Sequence, residues 1–292
     1  MIACAIADNH GGRLRAIADA PIDSRLEDSG QECASDMSSA QASSTTSVWD
    51  RVVCAVDRAP LSVHAARAAA SLMPAAASLT LCTVIGADED GPLDDEARTR
   101  EARDRLDLVQ GWIQPAHDAE LHLREGPPIS RLLDELVTER ATLVAVGSRT
   151  HGRAGLGSVS RAMLHEAPCS VLIAQAEDAG DGEVVVGFDG SGGARRALAV
   201  GRELSGRLSL KLRVLVATGE ARAPGPGWSR EEFGPDLAVS EDPRPAVEAL
   251  TDASFAARLL ILGSRHLPAA LALSSVSEQA AQRATCPVLV VR

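Results

Sequence analysis

The 292-residue chain has no tyrosine, three phenylalanines, three tryptophans and a single lysine, Lys211. Each scarcity excludes something. With aromatic residues at 2% of the chain, its cores must be built from Ala, Leu and Val rather than rings. A Walker A loop needs Gly-Lys-Ser/Thr, and the lone lysine lies in an apolar run after Leu210, so that way of holding phosphates is excluded. A net charge of −11 and a pI near 5.1 argue against nucleic acid or an anionic membrane as a bulk partner. No run of 18 apolar residues occurs, and the opening MIACAIADNHGG has neither the basic start nor the apolar length of a signal peptide. The expectation is a soluble, cytoplasmic protein. Its six cysteines (Cys4, Cys33, Cys54, Cys82, Cys169, Cys286) show no CxxC pair and no zinc-type spacing. Four of them lie in or beside apolar runs, where a free thiol behaves as a small buried hydrophobe.

What is present is alternation. Residues 1–47, including DSRLEDSGQECASDMSSAQASSTTS, lack either hydrophobic period and read as a disordered tail, or as the product of a mis-assigned start codon. From Trp49 onward, short β-branched runs alternate with helical patterns: RVVCAVD, LSVHAARAAASLM, SLTLCTVI, the charged DDEARTREARDRLDLVQGWI, AELHLREG, PISRLLDELVTER, TLVAVGSR, VSRAMLHEA and CSVLIAQ. Near-continuous apolar strands separated by helices imply parallel sheets covered on both faces. The order then restarts. EVVVGFD mirrors RVVCAVD and GGARRALAVGREL the first helix, while LKLRVLVAT stands as the second strand, DLAVSED the third, ARLLILGSRH the fourth and CPVLVVR the fifth. Asp57 recurs as Asp189 at an offset of 132, while Gly147 recurs as Gly263 at 116. The motif SVS at 158–160 and Cys169 recur at 275–277 and Cys286, both at 117. The second copy has therefore lost residues in its middle, where GEARAPGPGWSREEFGP, too rich in Gly and Pro for a stable helix, stands in place of the charged helix. We expect one repeat unit at 48–176 and a trimmed one at 177–292, each a Rossmann-like α/β domain with a five-stranded parallel sheet.

In an open parallel sheet, ligands sit beyond the carboxyl ends of the strands. Asp57 ends the first strand, Val84 the second and Gly147 the fourth. After the glycines, GSVS (157–160) opens a helix whose first N–H groups are unpaired and partially positive, a seat for phosphate. Gly157 would let an oxygen approach closely, and Ser158 and Ser160 could add hydroxyl donors. A plainer reading stands beside this one: Ser158 as a helix N-cap, with the glycines serving a tight turn. No GxGxxG follows either first strand, and DGSGGARRA lacks the glycine that a GxSxG nucleophile elbow needs. His151 and His266 read as loop or surface residues rather than as members of a triad.

VVVGFDGS (184–191), the glycine-rich loop after the fourth strand, and the endings HEAPCSVLIA and QRATCPVLVVR together resemble the universal stress protein family over residues 49–292. Members carrying the full loop, G-x2-G-x9-G-[S/T], bind ATP without a Walker motif. The resemblance implies that Asp57 and Val84 contact adenine, Gly147 contacts ribose or phosphate, and Gly157, Ser158, Val159 and Ser160 hold the phosphates. Two departures stand in the first repeat. Asp57 is followed by RAPLS rather than Gly-Ser, and Gly157 comes ten positions after Gly147 where the family spacing gives thirteen. In the second repeat Asp189, Gly190 and Ser191 match, but His266 and Ser274 replace two loop glycines and Pro268 intrudes. That half reads as structural. The resemblance further implies a stress-response regulator rather than an enzyme. It also implies pairing of the last strands, SVLIA against PVLVV, as an internal pseudo-dimer, with a further homodimer open and no protein partner named. The alternative is a nucleotide-free interaction scaffold with decayed ATP sites, and behind it a slow ATPase.

Overall fold

Apolar runs form strands and amphipathic runs form helices, in the expected order. The elements are β1 (Arg51–Ala55), α1 (Leu61–Leu72), β2 (Ser78–Ile85), α2 (Asp95–Ile113), β3 (Ala119–Glu125), α3 (Pro128–Thr138), β4 (Leu143–Gly147), α4 (Ser158–Glu166) and β5 (Ser170–Ala174). They continue with β6 (Glu183–Gly187), α5 (Gly192–Leu208), β7 (Leu212–Ala217), a 3-10 turn (Arg230–Phe233), β8 (Ala238–Asp242), α6 (Ala246–Ser254), β9 (Ala257–Gly263), α7 (Val276–Arg283) and β10 (Val288–Val291). The computed structural model describes residues 47–58, 61–86, 95–113, 116–148, 155–175, 182–219, 228–264 and 275–292, all within one unit, Thr45–Arg292. The expected tail falls outside the described residues except for Ser47, as do His151, Gly152, His266, Pro268 and Ser274.

The strands form one mixed ten-stranded sheet in the order β3-β2-β1-β4-β5-β10-β9-β6-β7-β8, rather than two sheets of five. Every neighbouring pair is parallel except β5 and β10, which run antiparallel with Leu172 opposite Leu289. The physical reason lies in those two strands. SVLIA and VLVV are buried along their whole length, and neither could be left as an open edge with bare N–H and C=O groups. The true edges, β3 and β8, have mostly exposed or half-buried side chains and carry charge.

Helices cover both faces. α1, α2 and α5 bury Ala65, Ala69, Leu106, Val109, Ala197 and Leu204 against one. α3, α4, α6 and α7 bury Leu132, Leu136, Met163, Leu250 and Ala280 against the other. Both layers are mostly aliphatic, as the shortage of rings requires. α5 runs beyond the predicted pattern to Leu208 and stops where Ser209 takes φ 54°, its N–H donating to the Ser205 carbonyl. Where the second repeat is trimmed, the described residues hold only the 3-10 turn. Phe233 from that turn packs edge-on against Phe188 at 5.0 Å, with Trp228 beside it. Three of the chain's six phenylalanine and tryptophan rings are thus gathered beside the trimmed stretch.

The four cysteines within the described residues are free and buried. Burial pushes the thiols of Cys82 and Cys286 up to about 12 and that of Cys169 to about 11. Cys54 is raised by burial as well, and secondarily by Cys82 and Asp57. They are hydrophobes, as expected, and not nucleophiles. Among the described residues, no helix is long and apolar enough to cross a membrane.

Candidate functional site

β1 lies between β2 and β4, so the carboxyl ends of three adjacent strands bring Asp57, Val84 and Gly147 to one edge of the sheet. Val56 continues the β1 ladder by donating its N–H to the Cys82 carbonyl at 2.8 Å. Asp57 follows it into solvent, and the Ser62 hydroxyl donates to the Asp57 carbonyl, tying the start of α1 to this turn. Val84 is half-buried near the end of β2, and Gly147 closes β4 opposite Ala174. Beside them Arg58 is held bidentately by Glu101 of α2, which also receives Arg105.

The shortened loop returns to the same edge. Gly157 donates its N–H to the Ser148 carbonyl at 3.0 Å, which pulls the start of α4 against the end of β4 although the excursion is three residues shorter than the family spacing. Gly157, with extended φ and ψ of −63° and 162°, is the N-cap, and no side chain caps the helix. Ser158 is therefore the first helical residue and not the cap, which corrects the plainer reading. It is exposed, and Val159 is half-buried. Ser160 is buried, and its hydroxyl donates to the Gly147 carbonyl at 2.5 Å. Its proton is spent on the main chain, so it clamps the loop.

One polar group here escaped the sequence reading. Ser148, the residue after Gly147, is 2% exposed, and its hydroxyl oxygen has no hydrogen-bond partner among the described residues. A buried hydroxyl without a partner is uncommon, since its desolvation goes uncompensated. The signal was its position, directly after the strand-ending glycine, but Ser in such a loop is too common to single out.

At the corresponding edge of the second half, several polar groups of the described residues already have partners. Ser191 N–H donates to the Asp189 carboxylate, the Ser191 hydroxyl caps α5 through Ala194 N–H, and Arg195 donates to the Gly190 carbonyl. The Asp-Gly-Ser run that matches the family best is thus a turn and a helix cap. α5 then presses on β9. A Cβ on Gly263 would stand 2.2 Å from the Gly193 carbonyl carbon, and one on Gly193 would stand 2.6 Å from the Ser264 carbonyl oxygen. The start of α7 is capped by Ser275, whose hydroxyl accepts from Glu278 N–H, and Glu278 puts a carboxylate in the first turn. An anion would meet negative charge there.

Among the described residues, His122, Glu135 and Glu139 bring ligand-type atoms together. The buried Glu135 is already held by Arg124 Nε at 2.7 Å and His122 Nδ1 at 2.5 Å. That arrangement satisfies a buried carboxylate without an ion.

Comparison with known proteins agrees with this architecture. A model of the universal stress protein family matches residues 49–175 and 236–292; the gap falls on the trimmed stretch and the α5 region. A universal stress protein of Mycolicibacterium smegmatis is 32% identical over 186 residues, covering 53% of this chain and 63% of that protein, a little under two thirds of its length. One from Mycobacterium tuberculosis is 30% identical over 213 residues, covering 58% of this chain and 71% of that protein. Among solved structures, a universal stress protein from Archaeoglobus fulgidus superposes with a TM-score of 0.68 at 19% identity, covering 84% of this chain and 97% of its own. With the strand-one Asp, the glycine-opened α4 and the closing strands all in place on this fold, the chain belongs to the universal stress protein family.

Proposed function

We propose that the chain is a stress-response regulator that binds an adenine nucleotide, ATP as the working choice, at the carboxyl edge of β1, β2 and β4. The observation that carries the reading is the unpartnered Ser148 hydroxyl beside the uncapped start of α4. A phosphate or ribose oxygen would satisfy both the hydroxyl and the first-turn amides. In this reading Asp57 and Val84 face adenine, Gly147 the ribose, and Gly157, Ser158 and Val159 the phosphates through their amides. Ser160 supports them from behind. The second half serves as structure, and 48–176 and 177–292 act as domains joined as an internal pseudo-dimer. In this reading the role is binding rather than turnover. Equilibrium binding of labelled ATP to the full chain tests this. Affinity should fall in Gly157→Val and in Asp57→Ala, and unchanged affinity in both variants refutes the site.

A second reading, a nucleotide-free interaction scaffold, draws on the ten-residue spacing from Gly147 to Gly157 and on the hydroxyl of Ser160 turned to the main chain. Protein that releases no nucleotide on denaturation, and whose melting temperature does not move at millimolar ATP, favours it.

A further inference from the structure

The seam between the two halves carries a pattern of its own. In the antiparallel pairing of β5 with β10, Val171 faces Val290, Leu172 faces Leu289 and Ile173 faces Val288. An offset of 117, the same that relates SVS 158–160 to 275–277, maps this register onto itself with Leu172 and Leu289 at its centre. A local two-fold therefore passes through the seam. Side chains obey it. Gln175 Nε2 donates to the Ala281 carbonyl, and the equivalent Arg292 donates to the equivalent Leu164 carbonyl, at 2.9 and 2.8 Å.

A residue close to such an axis meets its own equivalent. Arg161 of α4 and Glu278 of α7 are equivalent by the same offset, and they meet: Arg161 Nε lies 3.3 Å from Glu278 Oε1. Glu278 has a side chain only 7% exposed, and His165 of α4 stands 3.5 Å from its other oxygen. Had the two faces stayed alike, this position would set arginine against arginine or one buried carboxylate against another. The repulsion would be strongest for the carboxylates, which are shielded from water.

We infer that the Arg161–Glu278 pair makes the seam heterospecific: the α4/β5 face accepts the α7/β10 face and rejects a second α4/β5 face. The backbone edges cannot supply this choice. Both are short strands that are apolar throughout their paired residues, Val171–Ile173 and Val288–Val290, and either would pair with its own kind as readily as with the other. Opposite charge at the axis, with like charge for every like-with-like pairing, discriminates through a repulsive element as well as an attractive one. The partner that fits the α4/β5 face is thus a helix-plus-strand edge bearing a carboxylate at the axial position.

Charge reversal in the full chain tests this. Arg161→Glu and Glu278→Arg should each lower the thermal midpoint by about 2–4 °C or more. The double reversal restores opposite charge and should lie above both single variants. Size-exclusion chromatography with light scattering should show no association beyond the wild-type state in either single variant, because one sign of charge at both axial positions makes every pairing of the faces repulsive; a new dimer in either single variant overturns the inference. Should a reversal not fold, Arg161→Gln, Glu278→Gln and the double Gln variant complete a denaturant cycle, in which the double should cost no more than either single. Losses that simply add, in either set, overturn the inference.

Discussion

The two carboxyl edges of this sheet are built from equivalent elements and have opposite characters. At the first, α4 starts on a bare glycine and leaves its first-turn amides uncapped, with the unpartnered Ser148 hydroxyl next to them. At the second, α7 starts on Ser275, which caps it, and Glu278 fills the first turn with negative charge. Gly193 and Gly263 bring α5 hard against β9, while Phe188 and Phe233 pack together beside the trimmed stretch. The difference teaches that matching motif residues are not a site. Asp189-Gly190-Ser191 fits the family pattern better than Asp57-Arg58-Ala59, yet it is consumed in a turn and a cap. What separates an open edge from a closed one is whether the polar groups already have partners.

The largest effect that would break the comparison is expected at the closed edge. Phe233→Ala should cost about 3–5 kcal/mol, because removing a ring that is buried and packed on Phe188 leaves a cavity in the core. Urea unfolding measures it, and a loss under 1 kcal/mol would show that the aromatic cluster is not what holds this half. Gly263→Ala comes next, at about 3 kcal/mol, since its Cβ meets backbone atoms of α5 and not a side chain that can swing away. Gly157→Val, at φ −63°, needs no left-handed backbone and should leave the melting temperature close to wild type while abolishing nucleotide binding. The two SVS motifs sharpen the contrast further. Ser275→Ala removes a cap and should cost about 1 kcal/mol, whereas Ser158→Ala should stay within about 0.5 kcal/mol; equal costs would mean that the two helix starts are alike after all. The smallest effect is at Ser148. Removing its hydroxyl should leave stability unchanged or slightly raised, because no hydrogen bond is lost, and should weaken ATP binding roughly fivefold by isothermal titration.

Much of the fold was legible in the residues. β-branched runs between amphipathic stretches located every strand, and the coincidence of two offsets at 116 and 117 exposed the repeat and its trimmed middle. The burial of Cys54, Cys82, Cys169 and Cys286 followed from their apolar neighbours. The site was less legible. Ser158 has the sequence of a cap and is not one, because Gly157 takes the cap position when its N–H bonds back to Ser148. Ser160 has the sequence of a phosphate donor and instead faces the Gly147 carbonyl thirteen residues earlier. Which way a hydroxyl points depends on contacts between segments that are distant in the chain, and no local pattern encodes them.

By itself, the sequence determined the alternation of strand and helix, the two copies and the family, because hydrophobic period and motif spacing are properties of neighbouring residues. Only the tertiary structure decided the antiparallel register in which β5 and β10 join the ten strands into one sheet. It also decided that Arg161 and Glu278 meet on the axis of the seam, and that the first edge is open while the second is shut. Those outcomes rest on which edges must be covered and which polar groups find partners, and both are settled only when remote segments pack.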